Sequence, residues 1–289
     1  MLKVFVDSDM DFTPQRAAEF GFELISMPYS IDGKNIFPYE DFEVFDQKGF
    51  YDKLREGVIP TTSAISAEKY IEYFEPVFEA GHDVLYIHFS AAMSATFGAL
   101  DDAVRTLHAK YPDRKFYETD TLAITTLSYN IACEAGKLYR KGATVEQIVD
   151  FVEKERQHFA MYFFADDLKF FKHSGRVSGL AATMGTMLGI RPIIYIGEEG
   201  KMVSLGKERG RVKAMEKLVS YVSELGRDLN EHTIVIGHTD CEEMALEIKQ
   251  MLLDRIDSRL NIEVVVVNPT AGSHCGPNGV GISFYAKHR

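Results

Sequence analysis

Side-chain hydroxyls are concentrated at two places where the sequence predicts that a helix follows extended chain. The first run is TTSAIS at residues 61–66, and the second is SAAMSAT at residues 90–96, which follows an apolar strand ending at Phe89. Ligands of open α/β sheets bind beyond the carboxyl ends of parallel strands. Free backbone N–H groups and the positive end of the helix dipole favour an anion there. A carboxylate or phosphate oxygen would fit both runs.

The same hydroxyls also suit a purely structural role. Ser66 and Ser94 stand where helix N-caps are expected, and a serine at that position accepts a hydrogen bond from a free backbone N–H. One cap needs one hydroxyl. Two clusters at two strand ends therefore favour ligand binding over capping alone.

A second candidate region is NPTAGSHCGPNG at residues 268–279, which we predict to be a long loop between two strands. Long loops of this kind are often functional, and their glycines allow a close approach of the backbone to a ligand. His274 within it could donate to an anion or transfer a proton. A satisfied structural histidine is the alternative interpretation.

Positive charge is concentrated at residues 172–178 and 207–213, which contain Arg176 and Arg209. These segments are either solvated surface, or a grip for an anion, or a docking patch for an acidic partner.

The order of elements predicts an α/β protein of two domains, because short β-rich runs alternate with long helical patterns in the first half. We place the boundary near residue 158. Residues 1–158 are expected to form a mostly parallel sheet flanked by helices, and residues 159–289 a mixed α/β domain with a hairpin whose turn is at residues 198–201. The strands are expected at residues 2–6, 23–30, 84–89, 115–118, 161–165, 193–196, 202–205, 233–237, 263–267 and 281–285. The helices are expected at residues 14–20, 67–80, 94–110, 122–140, 145–158, 212–225 and 242–253.

Composition narrows the function classes. The 289 residues carry a formal charge of −11, from 32 Lys and Arg against 43 Asp and Glu, which disfavours binding to a nucleic acid backbone. The longest apolar runs are of strand length, far below the roughly 20 residues that span a bilayer. With no secretory pattern at its start, the protein is expected to be cytoplasmic, with its three cysteines reduced.

Six segments in order resemble motifs of the DegV family of bacterial fatty-acid-binding proteins, over nearly the whole chain. They are Val6-Asp7-Ser8, Thr62-Ser63-Ala64-Ile65-Ser66, Ser90-Ala91-Ala92-Met93-Ser94-Ala95-Thr96, Gly175-Arg176-Val177-Ser178, Lys207-Glu208-Arg209-Gly210-Arg211 and His274-Cys275-Gly276-Pro277. The chain departs from the family pattern at Ala64-Ile65, Ala95 and Asn278.

The resemblance implies a long-chain fatty acid whose tail lies in the first domain and whose carboxylate lies near the domain junction. Thr62, Ser63 and Ser94 would bind the carboxylate, and His274 would close the polar end. Arg176 and Arg209 would support that end or contact the partner. The implied partner is a fatty acid kinase with a dihydroxyacetone-kinase-like domain, which forms an acyl phosphate. No cofactor, metal or catalytic residue is expected.

Two enzymes remain as alternatives. The D-x-D-x-D-x-T run after the first strand suggests a magnesium-dependent phosphatase of haloacid-dehalogenase type, with Asp7 as nucleophile, Asp9 as acid/base and Asp166-Asp167 as metal ligands. The second is a serine hydrolase that uses a dyad of Ser94 and His274, although no G-x-S-x-G motif is present.

Overall fold

The computed structural model describes residues 1–178 and 189–289. Within them the strands are β1 (Leu2–Asp7), β2 (Phe22–Ile25), β3 (Tyr29–Ile31), β4 (Lys34–Ile36), β5 (Thr61–Thr62), β6 (Asp83–His88), β7 (Phe116–Asp120), β8 (Phe159–Phe164), β9 (Val177–Ser178), β10 (Ile190–Ile196), β11 (Met202–Arg209), β12 (Ile234–His238), β13 (Ile262–Val266) and β14 (Val280–Tyr285). The α-helices are α1 (Pro14–Phe20), α2 (Gln47–Arg55), α3 (Ala67–Glu79), α4 (Thr96–Lys110), α5 (Thr125–Arg140), α6 (Val145–Glu155), α7 (Lys169–Ser174), α8 (Arg211–Leu225), α9 (Glu242–Arg255) and α10 (Pro269–Cys275).

The first sheet has the order β2-β1-β6-β7, and all its pairings are parallel. Its central strands β1 and β6 are largely apolar and buried because helices cover the sheet, as parallel sheets require. The predicted parallel sheet flanked by helices is therefore confirmed.

The second sheet is mixed, with the order β13-β12-β14-β8-β10-β11-β9. Its central strand β8 is buried on both faces, and its side chains alternate between two cores as the pleat dictates. Phe159, Met161 and Phe163 belong to the core shared with the first sheet, whereas Ala160 and Tyr162 pack into a second core under α8 and α9. The predicted mixed second half and its β10–β11 hairpin are confirmed.

Helix α5 joins the two sheets, since it contacts α1 on one side and β8, β12 and β14 on the other. Most of its residues are buried, which is typical of a helix enclosed on several sides. One hydrophobic core thus runs from Val4 in β1 to Met161 in β8. The division of the chain at residue 158 stays a prediction.

A small antiparallel sheet of order β4-β3-β5 and the helix α2 were absent from the sequence-based prediction. These elements are short, and they are stabilised by an aromatic cluster in which Tyr29, Phe50 and Tyr51 pack edge to face. Phe170 of α7 completes this cluster. The short strands have too few residues for a periodic apolar pattern, whereas α2 has such a pattern in Phe50, Tyr51 and Leu54 and the prediction missed it.

The prediction of a loop over residues 268–279 was wrong for its first half, which forms α10. The Asn268 side chain accepts a hydrogen bond from the backbone N–H of Ala271 at 2.8 Å, Pro269 stands in the first turn, and Gly276 follows the last turn with a φ of 70°. Cap, proline and terminal glycine are ordinary signals of helix ends. Because the helix has only seven residues, these signals resemble those of a loop in the sequence.

No helix within residues 1–178 and 189–289 combines the length and the apolar character needed to cross a membrane.

Candidate functional site

A cavity of about 290 Å³ lies between the first sheet, the second sheet and α10. Its inner wall consists of buried apolar side chains contributed by both sheets and by the turns beside them. The wall includes Phe89, Met161, Phe163, Ala165, Met202 and Val280. The cavity therefore has the lining expected for an apolar ligand with few polar contacts.

The mouth of the cavity, which we define as Thr62, Ser63, Ser94, Arg176 and His274, is polar. All five residues line the cavity, and none of them is fully buried. Thr62 ends β5, His274 lies on α10, and Arg176 immediately precedes β9. Elements distant in sequence thus bring together five of the six residues that the sequence analysis selected.

Thr62 and His274 are in direct contact, because Thr62 Oγ1 lies 3.0 Å from His274 Nε2. Burial lowers the pKa of His274 to about 4, and the nearby positive charge of Arg176 acts in the same direction. The imidazole is therefore neutral at pH 7 and carries one N–H. The pair can offer hydrogen bonds to an anion without adding a second positive charge.

Ser94 and Ser66 differ in their roles, although both were possible caps. Ser66 caps α3, where its hydroxyl accepts from the backbone N–H of Lys69 at 3.2 Å, and it does not line the cavity. Ser94 lies after a short 3-10 turn, two residues before α4, and its Oγ accepts from the backbone N–H of Thr96 at 3.2 Å. Among the described residues Ser94 donates to none, so its hydroxyl hydrogen is available to a ligand.

The second basic motif lies apart from the mouth. Arg209 is the last residue of β11, is exposed and does not line the cavity. Arg211 of the same motif pairs with Asp166, which also accepts from Arg191 Nε at 2.7 Å. These ion pairs hold the base of α8 against the end of β8.

The aspartates of the D-x-D-x-D run are all buried behind the mouth. Asp7 is fully buried, accepts from the Tyr86 hydroxyl at 3.0 Å, and does not line the cavity. Asp11 accepts from the backbone and side-chain nitrogens of Asn268 at 2.9 and 2.8 Å. Burial raises the pKa of Asp7 well above its ordinary value, and that of Asp11 to about 7.

These positions give the phosphatase alternative no support. A nucleophile must reach its substrate, yet Asp7 is enclosed, and Asp166 is engaged by two arginines. Within the described residues no group of three His, Cys, Asp or Glu side chains is arranged to hold a metal ion. The dyad alternative is also unsupported, because the hydrogen bond of His274 goes to Thr62.

Sequence reasoning missed several residues of the cavity. Asp9 was assigned only to the phosphatase alternative, and Met27, Thr239 and Thr270 were not selected, yet all four line the cavity. Thr270 and His274 are four residues apart on α10 and so share one face of it. Recognising the helix would have identified Thr270.

Comparison with known proteins places this geometry in context. The family model described as "Uncharacterised protein, DegV family" matches residues 1–287. A DegV domain-containing protein of Clostridium perfringens is 29% identical over 281 residues, which cover 97% of this chain and 96% of the relative.

Solved structures share the fold. A DegV lipid-binding protein from Thermotoga maritima superposes with a TM-score of 0.84 at 24% identity, over 100% of this chain and 99% of that one. A stearic acid-binding protein from Eubacterium ventriosum superposes with a TM-score of 0.87 at 20% identity, over 98% of this chain and 97% of that one. At these identities the likeness establishes the architecture.

Proposed function

The chain belongs to the DegV family, and we propose that it binds one long-chain fatty acid in the cavity, with the carboxyl group at the mouth. The observation that carries the proposal is the contact of Thr62 with neutral His274 at the open end of an apolar cavity. Lipid and stearic acid binding by the relatives from Thermotoga maritima and Eubacterium ventriosum supports it.

The apolar wall suits the tail of such a ligand. Each buried methylene contributes about 0.8 kcal/mol, so a long acyl chain gains most of its affinity from the wall. Among the described residues, the acidic and basic side chains that line the cavity are Asp9, Arg176 and His274, so the rest of the lining offers the tail no charge. The volume that the wall encloses then determines which length of acyl chain binds best.

The mouth suits a carboxylate. We assign the single N–H of His274 to Nε2, from which it donates to Thr62 Oγ1 at 3.0 Å. The Thr62 hydroxyl hydrogen then donates to one ligand oxygen, and the hydroxyls of Ser94 and Ser63 donate to the other. Burying a carboxylate is costly unless it is hydrogen-bonded in this way.

The position of the mouth also suits presentation to another enzyme. Its residues are partly exposed, so a carboxyl group bound there stays close to the surface while the tail is enclosed. We propose that a fatty acid kinase with a dihydroxyacetone-kinase-like domain phosphorylates this carboxyl group to an acyl phosphate. Arg176 at the mouth and exposed Arg209 would contact that partner. The proposed location is the cytoplasm.

Binding is tested by titrating delipidated protein with a fatty acid and comparing two serines. Ser94→Ala is expected to weaken binding about tenfold, because it removes one hydrogen bond to a charged group. Ser66→Ala is the matched control and should lower stability by about 1 kcal/mol without changing affinity. Equal affinities of wild type and Ser94→Ala would remove Ser94 from the site.

The partner is tested with the loaded protein, the kinase and ATP, by measuring ADP release. Arg209→Ala should reduce the rate and leave fatty acid affinity unchanged, because Arg209 lies outside the cavity. Arg105→Ala is the control, since Arg105 is an exposed arginine on α4. An unchanged rate with Arg209→Ala would contradict its docking role.

A further inference from the structure

Asp9 is a buried acid that lines the cavity and has one carboxyl oxygen left unpaired by the described part of the chain. It is 7% exposed, it lines the cavity together with Met27, Thr62 and Thr270, and its Oδ1 has no partner among the described residues. A buried polar atom left unpaired costs roughly 1–3 kcal/mol. Because Asp9 lines the cavity, a bound ligand that supplies a hydrogen-bond donor to its carboxyl group would offset this cost.

One polar side chain already faces Asp9. Thr270 lies beside it on α10, one turn before His274. The hydroxyl of Thr270 donates to the Met27 carbonyl oxygen at 2.7 Å, so it has no hydrogen left for Asp9. The donor that Asp9 lacks is therefore expected from a bound molecule.

We propose that Asp9 is a further ligand-binding residue that shares one proton with the carboxyl group of the bound fatty acid. This inference rests on the proposed function. The ligand reaches the site as a carboxylate and binds beside protonated Asp9, or beside ionised Asp9 with uptake of one proton from water. By either route the two carboxyl groups end up sharing one proton, and the only change is the transfer of that proton.

The electrostatics of the site agree with this pairing. Two carboxylates that approach to hydrogen-bonding distance repel each other, so one of them takes up a proton. Burial raises the pKa of Asp9 to about 7, and the charge of Asp11 acts in the same direction. Asp9 therefore exchanges its proton at neutral pH.

Apart from Asp7 and Asp11, the groups with shifted pKa values around Asp9 stay in one form between pH 6 and 9. On its own segment, burial raises the pKa of Asp7 well above its ordinary value and that of Asp11 to about 7, and both residues lie outside the cavity. Tyr70 of α3 and Tyr86 of β6 stay neutral, because burial raises the pKa of each. At the cavity, His274 with a pKa of about 4 and Cys275 with a pKa of about 12 are neutral, and Arg176 lines the cavity with them.

The pairing predicts how affinity depends on pH. A fatty acid in water is ionised throughout pH 6–9. Above pH 7, binding must therefore take up one proton, so affinity falls by at most about tenfold per pH unit. A fatty alcohol behaves differently, because its hydroxyl can donate to ionised Asp9 and its affinity does not fall.

The experiment measures dissociation constants of delipidated protein for cis-parinaric acid by fluorescence at pH 6, 7, 8 and 9, with hexadecanol as a displacing ligand. For the wild type, the constant for the acid should rise about tenfold between pH 8 and 9, whereas that for hexadecanol should not rise. Asp9→Asn should flatten the profile of the acid. Asp7→Asn, a buried acid outside the cavity, should retain the slope of the wild type.

The outcomes separate this inference from the proposed function. Equal pH profiles for wild type and Asp9→Asn, or a parallel fall for acid and alcohol, overturn the role of Asp9 while fatty acid binding stands. The comparison of acid with alcohol uses the wild type alone and is independent of the folding of the variants. Failure of the wild type to bind the acid at every pH overturns the proposed function itself.

Discussion

The mouth and the inner wall of the cavity are built from different kinds of element. The mouth uses short pieces, namely the two-residue strand β5, the turn before α4 and the seven-residue α10. The wall uses the long strands β8 and β14 together with residues beside α5. Under the proposed function, short and irregular segments supply the polar contacts to the carboxyl group, and regular elements supply the apolar volume for the tail.

The largest expected effect comes from filling the wall. Ala165 is fully buried, lines the cavity and follows β8 on the side of Met161 and Phe163. Ala165→Phe should displace about four methylenes of ligand and weaken binding of a long-chain acid about a hundredfold. Titration checks this, and thermal melting verifies the fold.

Ala165→Val provides the graded control. Valine removes less cavity volume than phenylalanine does. Ala165→Val should therefore weaken binding of a long-chain acid less than Ala165→Phe does, and binding of shorter acids least. Unchanged affinity of Ala165→Phe for a long-chain acid would mean that the tail lies elsewhere.

A smaller effect is expected at the mouth. Thr62→Val keeps the shape of the side chain but removes the hydroxyl that contacts His274, and we expect a loss of about 2 kcal/mol, or roughly thirtyfold in affinity. The loss should be the same for short and long acids, whereas that of Ala165→Phe should grow with chain length. A chain-length dependence in Thr62→Val would contradict the division between mouth and wall.

The third effect concerns stability behind the mouth. The folded-state pKa of Asp11 is raised to about 7, above its unfolded value, so its contribution is fully present below about pH 4 and is lost as pH rises through 7. Between about pH 4 and 7, the free energy of unfolding should therefore fall by about 1.4 kcal/mol per pH unit because of this group. Asp11→Asn, which keeps an oxygen for Asn268, should reduce the slope of unfolding free energy against pH in urea melts. An unchanged slope would contradict the raised pKa.

Much of the regular architecture could be predicted from the sequence, because most of the longer helices and strands carry a recognisable apolar pattern, although α2 and α10 were missed. Helix α1 was predicted with its observed ends, and Ser66 with its observed cap. The mouth residues were selected because hydroxyls follow strand ends and because the motifs resemble those of a family. Their mutual contacts depend on α10, which was predicted as a loop.

The wall could not be predicted in the same way. Whether Met161 or Ala160 faces the cavity depends on the register of β8 between β10 and β14, which pairing across the sheet determines. The buried position of Asp9 was likewise hidden, because a D-x-D-x-D run suggests metal chemistry when it is seen in sequence alone. Burial raises the pKa of each of these aspartates, whereas their spacing suggests ionised metal ligands.

The most direct test of the central claim is mass spectrometry of the extract from denatured, purified protein, with Ala165→Phe prepared in parallel. We expect about one fatty acid per wild-type chain and much less in Ala165→Phe, because both sheets enclose the tail. An empty wild-type protein that instead hydrolyses a generic phosphate ester with magnesium would contradict the account.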